Sequence, residues 1–252
     1  MPWNPDQYHK FQSQRAAPFE DLLRMIVVRP NLRVIDLGCG TGELTACLAD
    51  ALPDSDVLGV DSSAQMLAKA QPHARAGLRF EQADLAAVEG AWDLVFSHAA
   101  IQWVDDHAAL IPRLWQLVAP GGQMAIQQPA NHDHLSHVFA RELAAEEPFR
   151  TALNGWVRIP PVMPMDRYAQ MLFDLGAEDM TVLEKIYPHV LENADAIAEW
   201  TSGTLLVPYF ERLGDLRDNF MVAYRARLRE AFPGSPVFYP FRRMLFTAHR
   251  PH

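Results

Sequence analysis

Three acids and three glycines stand where they could do chemistry. Asp36, Gly38, Gly40 and Gly42 form an Asp-x-Gly-x-Gly-x-Gly run, and Asp61 and Asp84 each close a later apolar stretch. Glycines in such a turn let the backbone take conformations that a side chain forbids and let it come close to a ligand. A helix that starts just behind them offers unpaired N–H groups and the positive end of its dipole to a carboxylate or phosphate. Asp61, about twenty residues past the glycines, is placed to accept hydrogen bonds from both hydroxyls of a ribose. The G-x-G-x-G spacing differs from the G-x-G-x-x-G of dinucleotide sites, and the Gly-Lys-Ser/Thr ending that a triphosphate needs is missing.

The elements that position these residues follow from hydrophobic spacing. Val34 to Leu37 reads as a strand, and Leu44, Cys47, Leu48, Ala51 and Leu52 form the apolar face of a helix stopped by Pro53. Asp56 to Val60 is a second strand, after which Ser62 or Ser63 caps a helix carrying Met66, Leu67 and Ala70. Leu78 to Leu85 is a third strand ending in Asp84, Trp92 to His98 a fourth, and Gln123 to Gln128 a fifth, behind Gly121-Gly122. Asp105 and Asp106 begin a helix through Leu110, Leu114 and Leu117, with Pro112 in its first turns or at a small kink. Strands alternating with helices at short spacing imply an α/β fold with a doubly wound, mostly parallel sheet. Its acids sit at the carboxyl ends of strands, where such sheets bind ligands.

The alternation breaks after Ala130. A helix near Ser136–Glu146 and then Pro160, Pro161 and Pro164 make a connection long enough to be a lid. Asp166 is placed to cap a helix through Tyr168, Met171, Leu172 and Leu175 that Gly176 ends. Glu178 to Tyr187 fits a sixth strand and Met244 to Ala248 a seventh, and Ala194 to Glu230 is mostly helical, broken near Gly203 and Pro208. We read residues 1–252 as one domain with an N-terminal flap over 1–24; Phe19, Leu22, Leu23 and Ile26 mark a helix running toward the first strand, which either covers the sheet or belongs to a flap over the cofactor. Helical lid segments are expected over about 130–164 and 194–240.

The bounds agree. Of 252 residues 49% are hydrophobic, enough for a large core, and the net charge of −9 argues against a nucleic-acid partner, whose phosphates demand a basic surface. Two cysteines, Cys39 and Cys47, indicate no disulfide framework and suggest a cytoplasmic setting. The chain reads as having neither signal peptide nor membrane span, and as a monomer or simple homo-oligomer. His132, His134 and His137 match no strong metal signature, so no metal is expected. Met163 and Met165 read as the apolar lining of a lid. Trp156, Tyr209, Phe238, Tyr239 and Phe241 are candidate walls of a pocket for the second substrate, each equally explicable as core.

The Asp36 to Gly42 pattern, with Asp61 and Asp84 in order behind it, resembles the class I S-adenosylmethionine-dependent methyltransferases. The resemblance implies a Rossmann-like seven-stranded sheet that binds S-adenosylmethionine and releases S-adenosylhomocysteine. It implies cofactor contacts from Asp36, Gly38, Cys39, Gly40, Asp61, Ser62, Met66, Asp84, Leu85, Ser97 and Trp103. In that family the acid at Asp84 receives the adenine amino group and the next backbone N–H reaches a ring nitrogen. The N-terminal Trp3-x-Pro5-x-x-Tyr8-x-x-Phe11 pattern with Arg15, the Ala99-Ala100-Ile101-Gln102-Trp103-Val104 stretch and the tail around Arg243 are similar to the bacterial trans-aconitate 2-methyltransferases. That implies transfer of a methyl group to a carboxylate of a small polycarboxylic acid. An ionised carboxylate needs no base, only cations to hold it. Arg243 is the first candidate, in a catalytic as well as a binding role, with Arg242, Arg15, Tyr8 and Arg158 behind it.

Three departures from that group keep the acceptor open. His98-Ala99 stands for Asn-Ala, Gln128-Pro129-Ala130-Asn131 for Met-Pro-Asp-Asn, and Leu205-Leu206-Val207-Pro208 for Gly-Leu-Arg-Pro. With a phenol, amide or carbon-acid acceptor, His98 becomes the candidate base, since histidine titrates near neutrality. A third possibility is a protein that binds the cofactor without turnover.

Overall fold

The computed structural model describes residues 12–252, with side chains from residue 16 on. From residue 15 onward the chain forms two compact units, one of 15–129, 161–185 and 243–252, the other of 130–160 and 186–242.

The first unit holds most of the sheet. Its elements are α1 (Gln12–Arg24), β1 (Arg33–Leu37), α2 (Glu43–Ala51), β2 (Asp56–Asp61), α3 (Ala64–Ala70), β3 (Leu78–Gln82), β4 (Trp92–His98), α4 (His107–Gln116), β5 (Val118–Pro129) and α7 (Met165–Asp174). Two long strands begin or end in it, β6 (Glu178–Leu191) and β7 (Val237–His249). The seven strands lie in the order β3-β2-β1-β4-β5-β7-β6. β1 to β5 pair in parallel, and β7 runs antiparallel to β5 from Gln123↔His249 to Pro129↔Arg243. Val34, Ile35 and Leu37 are fully buried, as parallel strands covered on both faces must be. Strand order reverses between β1 and β4, so their carboxyl ends open on the crevice where such sheets bind ligands.

Phe19, Leu22, Leu48, Val57, Leu67 and Phe96 share one core, which gives α1 and α2 their apolar faces. Cys47 is not part of it: the thiol is exposed, and Leu48 and Leu52 carry the buried face of α2. β3 stops at Gln82, two residues short of Asp84, because its last partner on β2 is Asp61. Pro112 lies in the middle of α4 rather than in its first turns. The residue before α7 is Pro164, and Asp166 sits inside the first turn instead of capping it.

The second unit is helical: α5 (Leu135–Ala144), α6 (Phe149–Ala152), α8 (Ala194–Ser202), α9 (Val207–Leu213) and α10 (Arg217–Ala231). Ala140, Leu143, Phe149, Ile197, Tyr209, Phe220 and Tyr224 form its core. Gly203 ends α8 as expected, but Pro208 sits in the first turn of α9, where its missing N–H costs nothing, and the next break falls at Gly214. β6 and β7 extend into this unit past the expected ends. Tyr187, His189 and Leu191 are buried and alternate with exposed neighbours, and Val237, Tyr239 and Phe241 are buried and alternate with exposed Phe238 and half-buried Pro240 and Arg242. Among the described residues no helix is long and apolar enough to cross a membrane.

Candidate active site

The site begins at Asp36, the fourth residue of β1. It is 4% exposed, and Thr45 Oγ1 donates to its Oδ2 at 2.6 Å from the first turns of α2. Burial pushes the carboxyl up to about 7, with a further push from the charge of Asp61, while the Thr45 bond works against both. Among the described residues, the groups acting on Asp36 thus include no cation.

The glycine turn is held from behind by β2. Gly38 and Cys39 donate their N–H groups to the Val60 carbonyl at 2.8 and 2.9 Å, and Gly42 N–H closes the turn on Cys39 O at 3.0 Å. Gly38 has a φ of +81°, and a Cβ there would lie 2.2 Å from the Cβ of Ala100. Gly40 has a φ of +56°, but a Cβ on it would meet nothing within 4 Å among the described residues. The backbone at Gly40 therefore faces open space, as a ligand cradle requires. Cys39 is buried beneath it, and burial with the negative charges of Asp36 and Asp61 pushes its thiol far up, out of thiolate chemistry.

Asp61 joins the turn to the next helix. Its Oδ2 accepts Gly40 N–H at 3.0 Å and its Oδ1 accepts Ser63 N–H at 2.8 Å. Each oxygen keeps a second lone pair for hydroxyl donors. Ser63, not Ser62, caps α3, accepting Met66 N–H at 3.3 Å; Ser62 is exposed and its carbonyl accepts from Gln82 Nε2 at 2.9 Å. Asp84 is exposed in a turn beyond β3, where its Oδ1 accepts Ala86 N–H at 2.9 Å, and Leu85 beside it is half-buried.

At the end of β4, Ser97 is fully buried and donates to the Leu37 carbonyl at 2.8 Å, tying the ends of β1 and β4 together. His98 is half-buried and meets Phe19 edge to face, ring centres 5.7 Å apart. Ala99 then turns the chain with a φ of +54°, and Gln102 Nε2 bonds its carbonyl at 2.6 Å. The short turn Ile101–Trp103 leaves Trp103 49% exposed.

Arg243 is the most deeply placed of the candidate cations among the described residues. It is 5% exposed on β7, opposite Pro129 of β5, and its Nη1 reaches Gln127 Oε1 at 3.5 Å. Arg242 belongs to the other unit, where its N–H donates to Asn131 Oδ1 at 2.7 Å and its guanidinium lies 3.7 Å from Asp133. Tyr8 and the side chain of Arg15 lie outside the described residues. Phe238 is 57% exposed, whereas Tyr209, Tyr239 and Phe241 belong to the core of the helical unit.

Two groups at this site escaped the sequence reading. Thr45 was detectable as a polar residue on the buried side of the helix behind the glycines. Gln127 and Gln128, both fully buried, were detectable as adjacent amides at the end of an apolar strand.

A methyltransferase-domain family model matches residues 34–122, from β1 into the turn inside β5. The trans-aconitate 2-methyltransferase of Deinococcus radiodurans is 50% identical over 258 aligned residues, covering 100% of this chain and 99% of that protein. The protein of the same name from Variovorax paradoxus is 38% identical, covering 92% of this chain and 91% of that one. Among solved structures, the YcgJ protein of Bacillus subtilis shares the fold with a TM-score of 0.63 at 14% identity, covering 94% of this chain and 99% of that one. The Haemonchus contortus phosphoethanolamine N-methyltransferase 2, in complex with S-adenosyl-L-methionine, shares it at 0.56 and 20% identity, over 94% of this chain and 53% of that one.

Proposed function

Since the chain belongs to the trans-aconitate 2-methyltransferase family of S-adenosylmethionine-dependent methyltransferases, we propose that it esterifies a carboxylate of trans-aconitate, releasing the methyl ester and S-adenosylhomocysteine. The observation that carries this is the 50% identity to the Deinococcus radiodurans enzyme along the whole of both chains.

The described residues fit the cofactor. A carboxylate buried at Asp36 with no cation acting on it among the described residues suits a ligand that brings positive charge. The open space at Gly40 admits a ligand to the backbone, and Asp61 has lone pairs left for two ribose hydroxyls. In this proposal Asp84 and the Leu85 N–H take the adenine. Gly38, Cys39, Ser62, Met66, Ser97 and Trp103 complete the wall around the cofactor. S-adenosylmethionine supplies a methyl group made electrophilic by the sulfonium.

The chain's own task is alignment and exclusion of water. The attacking carboxylate must lie about 3 Å from the methyl carbon and in line with the leaving sulfur. Trans-aconitate is ionised at neutral pH, since free carboxyls titrate near 4, so no proton has to be moved. Arg243 holds the acceptor as a fork that binds both oxygens of a carboxylate, with Arg242, Arg15 and Tyr8 assisting. Gln127, at 3.5 Å, keeps the Arg243 guanidinium in place. His98 shapes the pocket. We read 1–252 as one catalytic domain in which 1–24 and the segments about 130–164 and 194–240 cover the acceptor. It works on a small anion in the cytoplasm as a monomer or simple homo-oligomer, without a nucleic-acid partner.

The test is release of S-adenosylhomocysteine with trans-aconitate, run beside cis-aconitate, citrate and a panel of phenols. Turnover on trans-aconitate at least a hundredfold above the phenols is expected. Turnover on a phenol alone overturns the proposal and returns His98 to the role of base.

A further inference from the structure

Gln127 ends an apolar strand with half of its amide unused. It is fully buried on β5, its backbone carbonyl accepts Ala99 N–H at 2.9 Å, and its Oε1 lies 3.5 Å from Arg243 Nη1. Its Nε2 is buried too and has no hydrogen-bond partner among the described residues. Turned the other way, the amide would set its N–H groups against a guanidinium that can only donate, so the contact with Arg243 fixes which end is which. Nitrogen and oxygen share one carbon, and the unused N–H groups therefore lie beside that contact. A buried donor without an acceptor costs free energy that a suitable ligand returns.

The register of the sheet shows what lies around this donor. Residues paired across neighbouring strands point to one side of a sheet, and so do residues two apart along a strand. Asp36 pairs with Phe96; His98, two residues on, pairs with Gln127; and Pro129, two further along β5, pairs with Arg243. Asp36, His98, Gln127 and Arg243 thus share one face, in a row from β1 to β7. Packing agrees: Phe96, Ala125 and Leu245 share a core with Phe19, and Phe19 also meets His98. Gln128 points to the other face, where its Nε2 donates to Tyr168 at 2.9 Å. Every member of the row belongs to the first compact unit.

We propose that Gln127 is a specificity-determining residue that donates an amide N–H to the acceptor carboxylate held by Arg243. The inference rests on the reading of the protein as a polycarboxylate methyltransferase with Arg243 at the acceptor. A carboxylate has lone pairs for both donors at once. A neutral phenol offers the same two donors one weakly accepting oxygen. The amide adds a donor and no charge, so it selects for accepting oxygens rather than for net charge alone.

The test is a double-mutant cycle on the binding of trans-aconitate to protein saturated with S-adenosylhomocysteine, so that no methyl can move. Gln127→Met keeps the volume and removes the amide. It should weaken trans-aconitate about tenfold or more and leave affinity for S-adenosylhomocysteine within about twofold. In an Arg243→Met background the same change should cost about a further threefold or more, whereas a residue that only positions the arginine would add nothing. A second measurement uses the wild-type chain labelled at glutamine: one Nε2 proton of Gln127 should move downfield by NMR as trans-aconitate is added. If wild-type protein binds trans-aconitate but that proton stays in place, or the cycle shows no further loss, the inference is overturned, Gln127 only holds Arg243, and the methyltransferase reading stands. If wild-type protein binds S-adenosylhomocysteine and ignores trans-aconitate, the reading itself falls and the inference with it.

Discussion

The Tyr168 hydroxyl meets His107 Nδ1 at 2.5 Å, joining the start of α7 to the start of α4. The other ring nitrogen, Nε2, lies 2.8 Å from the Ile101 carbonyl, which can only accept. The proton therefore sits on Nε2, Nδ1 is bare, and Tyr168 must donate to it. The Tyr168 oxygen then accepts from Gln128 Nε2 at 2.9 Å and from Met163 N–H at 3.2 Å. Burial holds His107 below the usual histidine range and Tyr168 above the usual tyrosine range, so both stay neutral. One hydroxyl thus fixes the turn that carries Trp103, the end of β5 and the proline-rich approach to α7.

Removing that hydroxyl leaves His107 Nδ1 without a donor and Met163 N–H without an acceptor, while Gln128 Nε2 keeps a weak contact to Met244 S at 3.8 Å. Each buried group left unsatisfied costs about 1–3 kcal/mol. Tyr168→Phe should therefore lower stability by about 3 kcal/mol, a fall in Tm of roughly 6–12 °C for a chain of this size. A thermal scan showing less than 2 °C would mean that this network holds nothing together.

Stability should fall on acidification, and the histidines of the helical unit decide the sign. His134 and His137 titrate at about 4 and about 3 in the fold, below the ordinary 6.5. Between pH 6.5 and 4 the unfolded chain binds protons that the folded chain refuses. Stability then drops by about 1.4 kcal/mol per pH unit for each ring. Asp36 acts in the opposite sense: raised to about 7, it keeps its proton in the fold where the unfolded carboxyl has lost it, so its contribution grows as pH falls from 7 toward 3.8. Two rings against one carboxyl leave a net loss of about 1.4 kcal/mol per unit. Urea midpoints at pH 7, 6 and 5 measure it. Asp36→Asn should steepen the loss, and a shallower one in that variant would contradict the assignment.

How much of this could be read in advance depended on burial. β1, β2 and β4 are covered on both faces, so they show as unbroken apolar runs, and the acids behind them were found with the strands. Asp84 was placed inside a strand because Leu78 to Leu85 has the composition of one; only pairing to Asp61 decides where β3 stops. The outer reaches of β6 and β7 were missed because Pro188 and Pro240 interrupt a pattern that is half exposed. The Tyr168–His107 pair joins residues far apart in sequence, and nothing local announces it. Arg243 was found through the resemblance, but its burial and its contact with Gln127 belong to the pairing of β5 with β7.

The glycine turn offers a contrast between two neighbouring positions. At Gly38 a methyl group would overlap Ala100 as well as strain a φ of +81°, so Gly38→Ala should cost several kcal/mol and yield little folded protein. At Gly40 the methyl meets nothing among the described residues, which leaves the left-handed conformation to accommodate, about 1–2 kcal/mol. Gly40→Ala should therefore fold, keep most of its Tm and still bind S-adenosylhomocysteine at least tenfold more weakly, because the methyl occupies the space where the cofactor meets the backbone. Normal affinity in a folded Gly40→Ala protein would move the cofactor away from this turn.

His98 separates the two chemistries most directly. It stands at the carboxyl end of β4, packed against Phe19, the place from which a base would serve an acceptor that must lose a proton. General-base catalysis is worth about 10²–10⁴ in rate, and a carboxylate acceptor has no use for it. With trans-aconitate, His98→Asn should therefore keep kcat within about tenfold at saturating S-adenosylmethionine, and kcat should stay flat across the histidine range of pH. A loss of a hundredfold or more, together with a wild-type profile that rises through pH 6–7 and vanishes in the variant, would make His98 the base and the acceptor something other than a carboxylate.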